Sequence, residues 1–288
     1  MLQRTRESEH ESSSHSSESA KAYKARCVPV NPVRHDTIHR VEYLLRATAR
    51  AESQHFWFRG FRYFVTPLLR QATMGLAYPL LLDCGCGTGN NLELLGKFGR
   101  TYGFDLTAVG LRLGQQAGRT RLVQASVTAI PFPSDAFDLV TSFDVFVTLD
   151  EHDERDAAAE MFRVARPGGH VLVNVAAMES LHGDHAILSR ERRRYSKHTL
   201  ERLLTSTGWT IVRMMYTNAL LVPPLTVLRA LQRWRGLPPE ESADRDIRVP
   251  PAPVNLALTV ALRLESLWVG WIGNPFGSSL LCLARKPA

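Results

Sequence analysis

Long uninterrupted apolar runs are missing from this sequence of 288 residues. The nearest approach, PVNLALTVALRLESLWVGWIG, carries Arg263 and Glu265 near its middle. Each charge costs about 2.5–3.5 kcal/mol at a bilayer centre, so no spanning helix is expected there. NALLVPPLTVLRALQRWRG is interrupted by Pro223, Pro224 and three arginines. An apolar leader is also lacking: MLQRTRESEHESSSHSSESAKAYKAR has no hydrophobic centre and several glutamates, which argues against a secretory signal or a transit peptide. Such a stretch reads as a disordered tail over 1–34, solvated or used for binding. Cysteine is scarce, with Cys27, Cys84, Cys86 and Cys282 too few and too scattered for a disulfide framework. A reducing compartment follows, and a lone C-x-C falls short of the roughly four ligands of a structural zinc site. No metal is expected, and no solenoid-length repeat is visible.

What is present is an ordinary globular composition, 44% hydrophobic and 22% charged. The net charge of +7 suits nucleic acid, an anionic membrane surface or an acidic substrate, but part of it sits in one cluster, RERRRYSK. From His35 to Arg70 apolar residues recur at helical spacing. Strand-like runs then alternate with helical ones: YPLLLDC, TYGFDL, RLVQAS, FDLVTSFDV and HVLVNVAA, separated by NLELLGKF, TAVGLRLGQQAG and ERDAAAEMFRVAR. Ser196 and Gly208 bracket a further helix, WTIVRMMYTN reads as a strand, and SSLLCLARKP as the last one. This alternation predicts a Rossmann-like α/β fold, a seven-stranded mostly parallel sheet with helices on both faces.

The segment LLDCGCGTGNNLELL places a glycine turn between a strand and a helix, at the carboxyl end of the first strand. Asp105 ends the next strand about 20 residues later, where an acidic residue takes a ribose diol. A dinucleotide fingerprint would need a third spaced glycine where Asn90 stands, and Asp83 beside the turn would repel a pyrophosphate. No G-x-x-x-x-G-K-[ST] occurs, which removes the P-loop reading. A ligand with a ribose, an ammonium group and no phosphate is S-adenosyl-L-methionine.

The same residues resemble a known family. D-C-G-C-G-T-G, Asp83 to Gly89, is similar to the first motif of class I S-adenosylmethionine-dependent methyltransferases. ASVTAIPFPSDAFDLVTSFDV and RVARPGGHVLVNVAA resemble that family's segments into the fourth and fifth strands. HFWF, RRRYSKHTLERLLTSTGW and NPFGSSLLCLARKP resemble a bacterial, type-11-like branch of it. The resemblance implies that Gly85, Gly87 and Gly89 approach the methionine and ribose, that Asp83 meets the ammonium, and that Asp105 and Leu106 flank the ribose. It further implies that Ser126 and Val127 border the adenine, with serine where many members carry Asp, and that Phe143 and Asp144 lie near the sulfonium. The implied organisation is a helical segment over 35–76, a cofactor-binding core over 77–218, a helical insertion over 219–274 and a closing strand over 275–288.

Methyl transfer is an in-line displacement, in which alignment and water exclusion dominate. A base is required where the acceptor loses a proton. His182, Asp184 and His185 cluster after the fifth strand, and His185 is the candidate base, the alternatives being a polar surface loop or a metal site. Arg192, Arg193 and Arg194 are expected to attract an anionic substrate or to be salt-bridged. HFWFRG either caps the cleft, with Arg59 facing the methionine carboxylate, or packs as core. No [DNS]-P-P-[FYW] follows the fourth strand and no nucleic-acid module flanks the core, so the expected acceptor is a small or lipid-linked molecule and not nucleic acid. The insertion is expected to form a lid, a membrane-surface contact or a dimer contact, placing the protein in the cytoplasm or at the membrane periphery. Two other function classes remain: a non-catalytic S-adenosylmethionine-binding partner of a complex, and a nicotinamide enzyme.

Overall fold

The computed structural model describes residues 45–179, 191–235 and 248–288. Helical turns through 45–51 lead into α1 (Phe56–Thr73), followed by β1 (Leu80–Cys84) and α2 (Asn90–Leu95). Next come β2 (Arg100–Asp105), α3 (Ala108–Gln116), β3 (Leu122–Gln124) and β4 (Phe137–Phe143). The chain continues through α4 (Glu151–Val164), β5 (Ala165–Ala176), α5 (Lys197–Ser206) and β6 (Thr210–Thr217). Helices α6 (Val222–Arg235) and α7 (Ala252–Trp268) precede β7 (Ser279–Arg285). The strands form a seven-stranded sheet in the order β3-β2-β1-β4-β5-β7-β6. All neighbours from β3 to β5 are parallel, and β7 runs antiparallel to both β5 and β6. The fold class expected from the alternation is the one observed.

Alternate residues of the central strands face two separate cores, which is why these strands read as continuous apolar runs. Leu82, Val140, Val171, Val173 and Cys282 pack under α4 and α5 with Met161, Leu200 and Leu204. Leu81, Leu139, Leu172, Leu281 and Leu283 face α1 and α7, meeting Phe64, Leu68 and Leu262. Ser196 caps α5 through a capping box with Thr199, as its position before KHTL suggests. The start of β5 differs from the sequence pattern. Strand β5 starts at Ala165, before R-P-G-G, because Ala165 already pairs with Phe137 and the register then shifts past Gly168, whose φ is +76°.

The insertion folds onto α1. Leu262 fits against Gly60, where a Cβ would stand 2.2 Å from its Cδ1. Asn255 accepts from Phe56 N at 2.8 Å and donates to Gln54 O at 2.9 Å, fastening α7 to the turn that starts α1. Pro223 and Pro224 lie in the first turn of α6, where a missing N–H removes no helical bond. Glu265 is fully buried and accepts from Ala219 N, Leu220 N and Asn274 Nδ2 at 2.9, 3.0 and 2.7 Å. The residue that breaks the apolar run thus joins α7 to the start of α6.

Candidate functional site

The sheet order reverses between β1 and β4, so a crevice opens at their carboxyl ends, the usual ligand position in such sheets. Gly85, Gly87 and Gly89 stand there with φ of +73°, +56° and +77°. L side chains adopt that region at a cost, and glycine adopts it freely. The amides of Gly85 and Cys86 both donate to Phe104 O at 2.9 Å, and Gly89 N donates to Cys86 O at 2.7 Å. Helix α3 approaches closely, since a Cβ on Gly114 would stand 2.3 Å from Thr88 O. Val145 abuts Gly85, where a Cβ would meet Val145 Cγ2 at 2.3 Å. Gly85→Ala is therefore expected to lower stability by about 2 kcal/mol and to abolish ligand binding at the turn, measured by thermal melting and calorimetry.

Asp83 is 1% exposed. Thr141 Oγ1, across the β1–β4 pairing, donates to Asp83 Oδ1 at 2.7 Å. Its other oxygen, Oδ2, has no partner. Burial pushes the Asp83 carboxyl up to about 7, against the Thr141 hydrogen bond and with a small addition from Asp105. A buried acceptor without a donor is costly, and at a strand end beside a glycine turn it points to a ligand donor. Asp105 is half-buried and closes the turn from β2. Its Oδ2 accepts from Gly87 N at 2.8 Å, and its Oδ1 accepts from Thr107 N at 2.8 Å and from the Thr107 hydroxyl. Three of about four acceptor directions are in use, which leaves one for a ligand hydroxyl.

Leu106 follows, exposed, with its carbonyl accepting from Gln124 Nε2 at 3.0 Å. Ser126 Oγ lies 2.8 Å from Thr128 Oγ1 and accepts from Thr128 N at 3.2 Å, while Val127 is buried. The Ser126 hydroxyl is thus tied into its own turn.

A second support of the turn comes from residues that no local sequence pattern links. Arg119 pairs with Glu52 at 3.0 Å and donates to Thr88 O at 2.9 Å, and Thr88 Oγ1 donates to Glu52 at 3.0 Å. Desolvation raises the Glu52 carboxyl despite Arg119. Asn90 Oδ1 accepts from Arg62 at 3.1 Å, so the residue standing in place of a third spaced glycine anchors α1 to the turn. These pairs join residues 67 and 28 positions apart, beyond any local pattern.

Beyond β4, Asp144 has a φ of +59°. Asn174 Nδ2 donates to Asp144 Oδ1 at 2.8 Å, and Asp144 N donates to Asn174 O at 2.9 Å. Asp144 is open to solvent at the cleft, yet enclosed by enough protein that desolvation pushes its carboxyl up to about 7. Glu191 adds to that rise, while Asn174 and Arg194 oppose it. Asn174 is buried with Oδ1 unpartnered, and Arg194 Nε is unpartnered as well. Phe143 meets Phe61 of α1 edge to face, centroids 4.9 Å apart.

The arginine cluster is salt-bridged. Arg192, Arg193 and Arg194 pair with Asp150, Glu154 and Glu191 at 3.6, 2.9 and 2.8 Å. The aromatic segment divides: His55 caps α1 by accepting from Trp57 N at 3.1 Å, Phe61 and Phe64 turn to the core, and Arg59 is exposed. His182, Asp184 and His185 lie outside the described residues. Among the described residues no group of His, Cys, Asp and Glu is arranged to hold a metal.

Residues 82–173 match the family model described as a methyltransferase domain. The ubiquinone/menaquinone biosynthesis C-methyltransferase UbiE of Erwinia tasmaniensis is 32% identical over 137 residues, covering 43% of this chain and 51% of that protein. The demethylmenaquinone methyltransferase of Anoxybacillus flavithermus is 32% identical over 112 residues, 35% of this chain and 46% of its own length. The chain spans about half the length of the curated relatives it matches. The crystal structure of the YcgJ protein from Bacillus subtilis superposes with a TM-score of 0.51 at 14% identity, over 78% of this chain and 98% of that one. That likeness is one of fold.

Proposed function

We propose, from the premise that this chain belongs to the class I S-adenosylmethionine-dependent methyltransferases, that it methylates a carbon of a hydroxylated aromatic acceptor, free or lipid-linked. The observation that carries the cofactor assignment is the orphaned, buried Asp83 Oδ2 beside three glycines in the left-handed region. An ammonium group supplies the missing donor, the side-chain-free turn admits the methionine and ribose, and Asp105 has one acceptor direction left for a ribose hydroxyl. S-adenosylmethionine supplies a methyl group on a cationic sulfur. Leu106 and Val127 then offer apolar surface to the adenine, with Ser126 at its edge.

The acceptor class rests on the likeness to the two quinone-pathway methyltransferases and on Asp144. Its carboxylate takes the acceptor's hydroxyl proton, which makes the ring electron-rich. With S-adenosylmethionine held by Asp83, the glycine turn and Asp105, its sulfonium would supply the methyl to the ring carbon and keep the electron pair of the broken carbon–sulfur bond. The ring hydrogen then leaves as a proton and the hydroxyl is restored from Asp144, for a net release of one proton. Asn174 holds the Asp144 carboxylate in place, and Phe143 with Phe61 walls the cleft.

Calorimetric titration with S-adenosylmethionine, S-adenosylhomocysteine and NAD tests the cofactor. Binding of both adenosyl ligands and not NAD is expected, and absence of adenosyl binding would overturn the reading. Incubation with 1,4-dihydroxynaphthalene as a hydroquinone without a lipid tail tests the acceptor class, and cofactor binding without turnover on such rings would favour a non-catalytic partner. Asp144→Asn is expected to lower kcat about 100-fold. The parent rate should rise with pH through about 7, where Asp144 loses its proton, and the variant should lose that limb. The same comparison on His185→Ala tests the sequence's own choice of base.

A further inference from the structure

The outer side of α7 is apolar where a surface helix carries polar residues. Leu256, Val260, Leu264 and Leu267 follow one another at helical spacing, between 45% and 66% exposed. Trp271 and Ile272 end the stripe at 92% and 84% exposure. At 1.5 Å per residue the stripe runs roughly 20 Å. Patches of this extent on a folded chain mark interaction surfaces.

The charges around it have one sign. α7 lies parallel to α1, with Asn255 at Phe56, Leu262 at Gly60 and Arg263 over the Tyr63 ring at 5.9 Å. Arg59, Arg70, Arg213 and Arg263 are exposed on α1, β6 and α7, and Arg213 donates to Gly270 O at 3.1 Å, next to Trp271. The carboxylate on these three elements is Glu265, which is fully buried. Glu240, Glu241, Asp244 and Asp246, between α6 and α7, lie outside the described residues.

We propose that this face docks on an anionic lipid bilayer, with Trp271 and Ile272 entering the boundary between headgroups and acyl chains and the arginines lying against the phosphates. Apolar residues flanked by cationic ones are the composition of an interfacial helix, and tryptophan favours that depth. No helix among the described residues is long and apolar enough to cross, so the contact is one of surface. A second copy fits less well, since a two-fold pairing through this face would set arginine against arginine.

The test is co-sedimentation of the full chain with vesicles of phosphatidylcholine alone and of equal phosphatidylglycerol and phosphatidylcholine. The mixed vesicles are expected to carry the protein down, the neutral ones to do so weakly, and added salt to release it. Trp271→Glu with Ile272→Glu is expected to reduce partitioning at least about tenfold, with melting temperature and S-adenosylmethionine affinity unchanged. Equal sedimentation of parent and variant, or no binding to either vesicle, would overturn the proposal. So would a parent dimer that the double variant dissociates without any vesicle binding, which assigns the face to a second copy. Cofactor titration of the same samples separates failure here from failure of the methyltransferase reading.

Discussion

Asp83→Asn is expected to weaken S-adenosylmethionine binding by about 10- to 100-fold, the range of one charge-assisted hydrogen bond. The substitution keeps the shape and the acceptor for Thr141 Oγ1 at 2.7 Å, so the loss isolates the charge. Stability of the ligand-free protein should hold or rise, because a desolvated carboxyl is replaced by a neutral group. The pH dependence has a definite sign. With its folded value raised from 3.8 to about 7, Asp83 keeps a proton in the folded chain that the unfolded chain has released. Stability of the free protein therefore falls as pH rises from about 4 to 7 and levels off above. Asp144, raised likewise, contributes in the same direction, so the variant should flatten the slope without removing it. Binding runs the opposite way: the carboxylate is the form that holds an ammonium, so affinity grows with pH up to about 7 in the parent and loses that dependence in the variant. Calorimetry near pH 6 in buffers of different ionisation enthalpy should show proton release on binding, and an equal proton count in parent and variant would sink the assignment.

Glu265→Leu is expected to cost about 3 kcal/mol of stability, the scale for stranding buried hydrogen-bonding groups. The substitution removes the acceptor of Ala219 N and Leu220 N and one of the two acceptors of Asn274 Nδ2, which keeps Tyr216 O at 3.2 Å. Leucine fills similar volume, so lost packing is minor and the effect reports the polar contacts. Denaturant unfolding of the parent, Glu265→Leu and Glu265→Gln measures it. Gln retains one acceptor oxygen and should fall between the two. Cofactor affinity should change little in Glu265→Gln, since Glu265 sits at the insertion and not at the glycine turn.

Strands buried on both faces leave long apolar runs, so β1, β4, β5 and β7 were legible, as was the glycine turn from Asp83 to Gly89. Ser196 was equally plain, because a cap and its helix are neighbours in the chain. Glu265 illustrates the reverse: within its own helix it reads as an interruption of an apolar run, and its partners 45 and 46 residues away make it a structural joint. Arg192, Arg193 and Arg194 read as a cationic cluster until Asp150, Glu154 and Glu191 fold against them. Asn90 looked like a departure from a glycine pattern until Arg62 reached it.

Local chemistry thus determined the α/β alternation, the left-handed turn and the carboxylates at the ends of β1 and β2, since periodicity, glycine freedom and strand ends are properties of short segments. The tertiary structure decided what each charge does. Whether a carboxylate is orphaned like Asp83 Oδ2, held by a neighbour like Asp144 or saturated like Glu265 depends on groups brought together from distant positions in the chain. The outward apolar face of α7 was settled the same way, because a helix with two apolar sides shows which one is buried when its partner, α1, is in place.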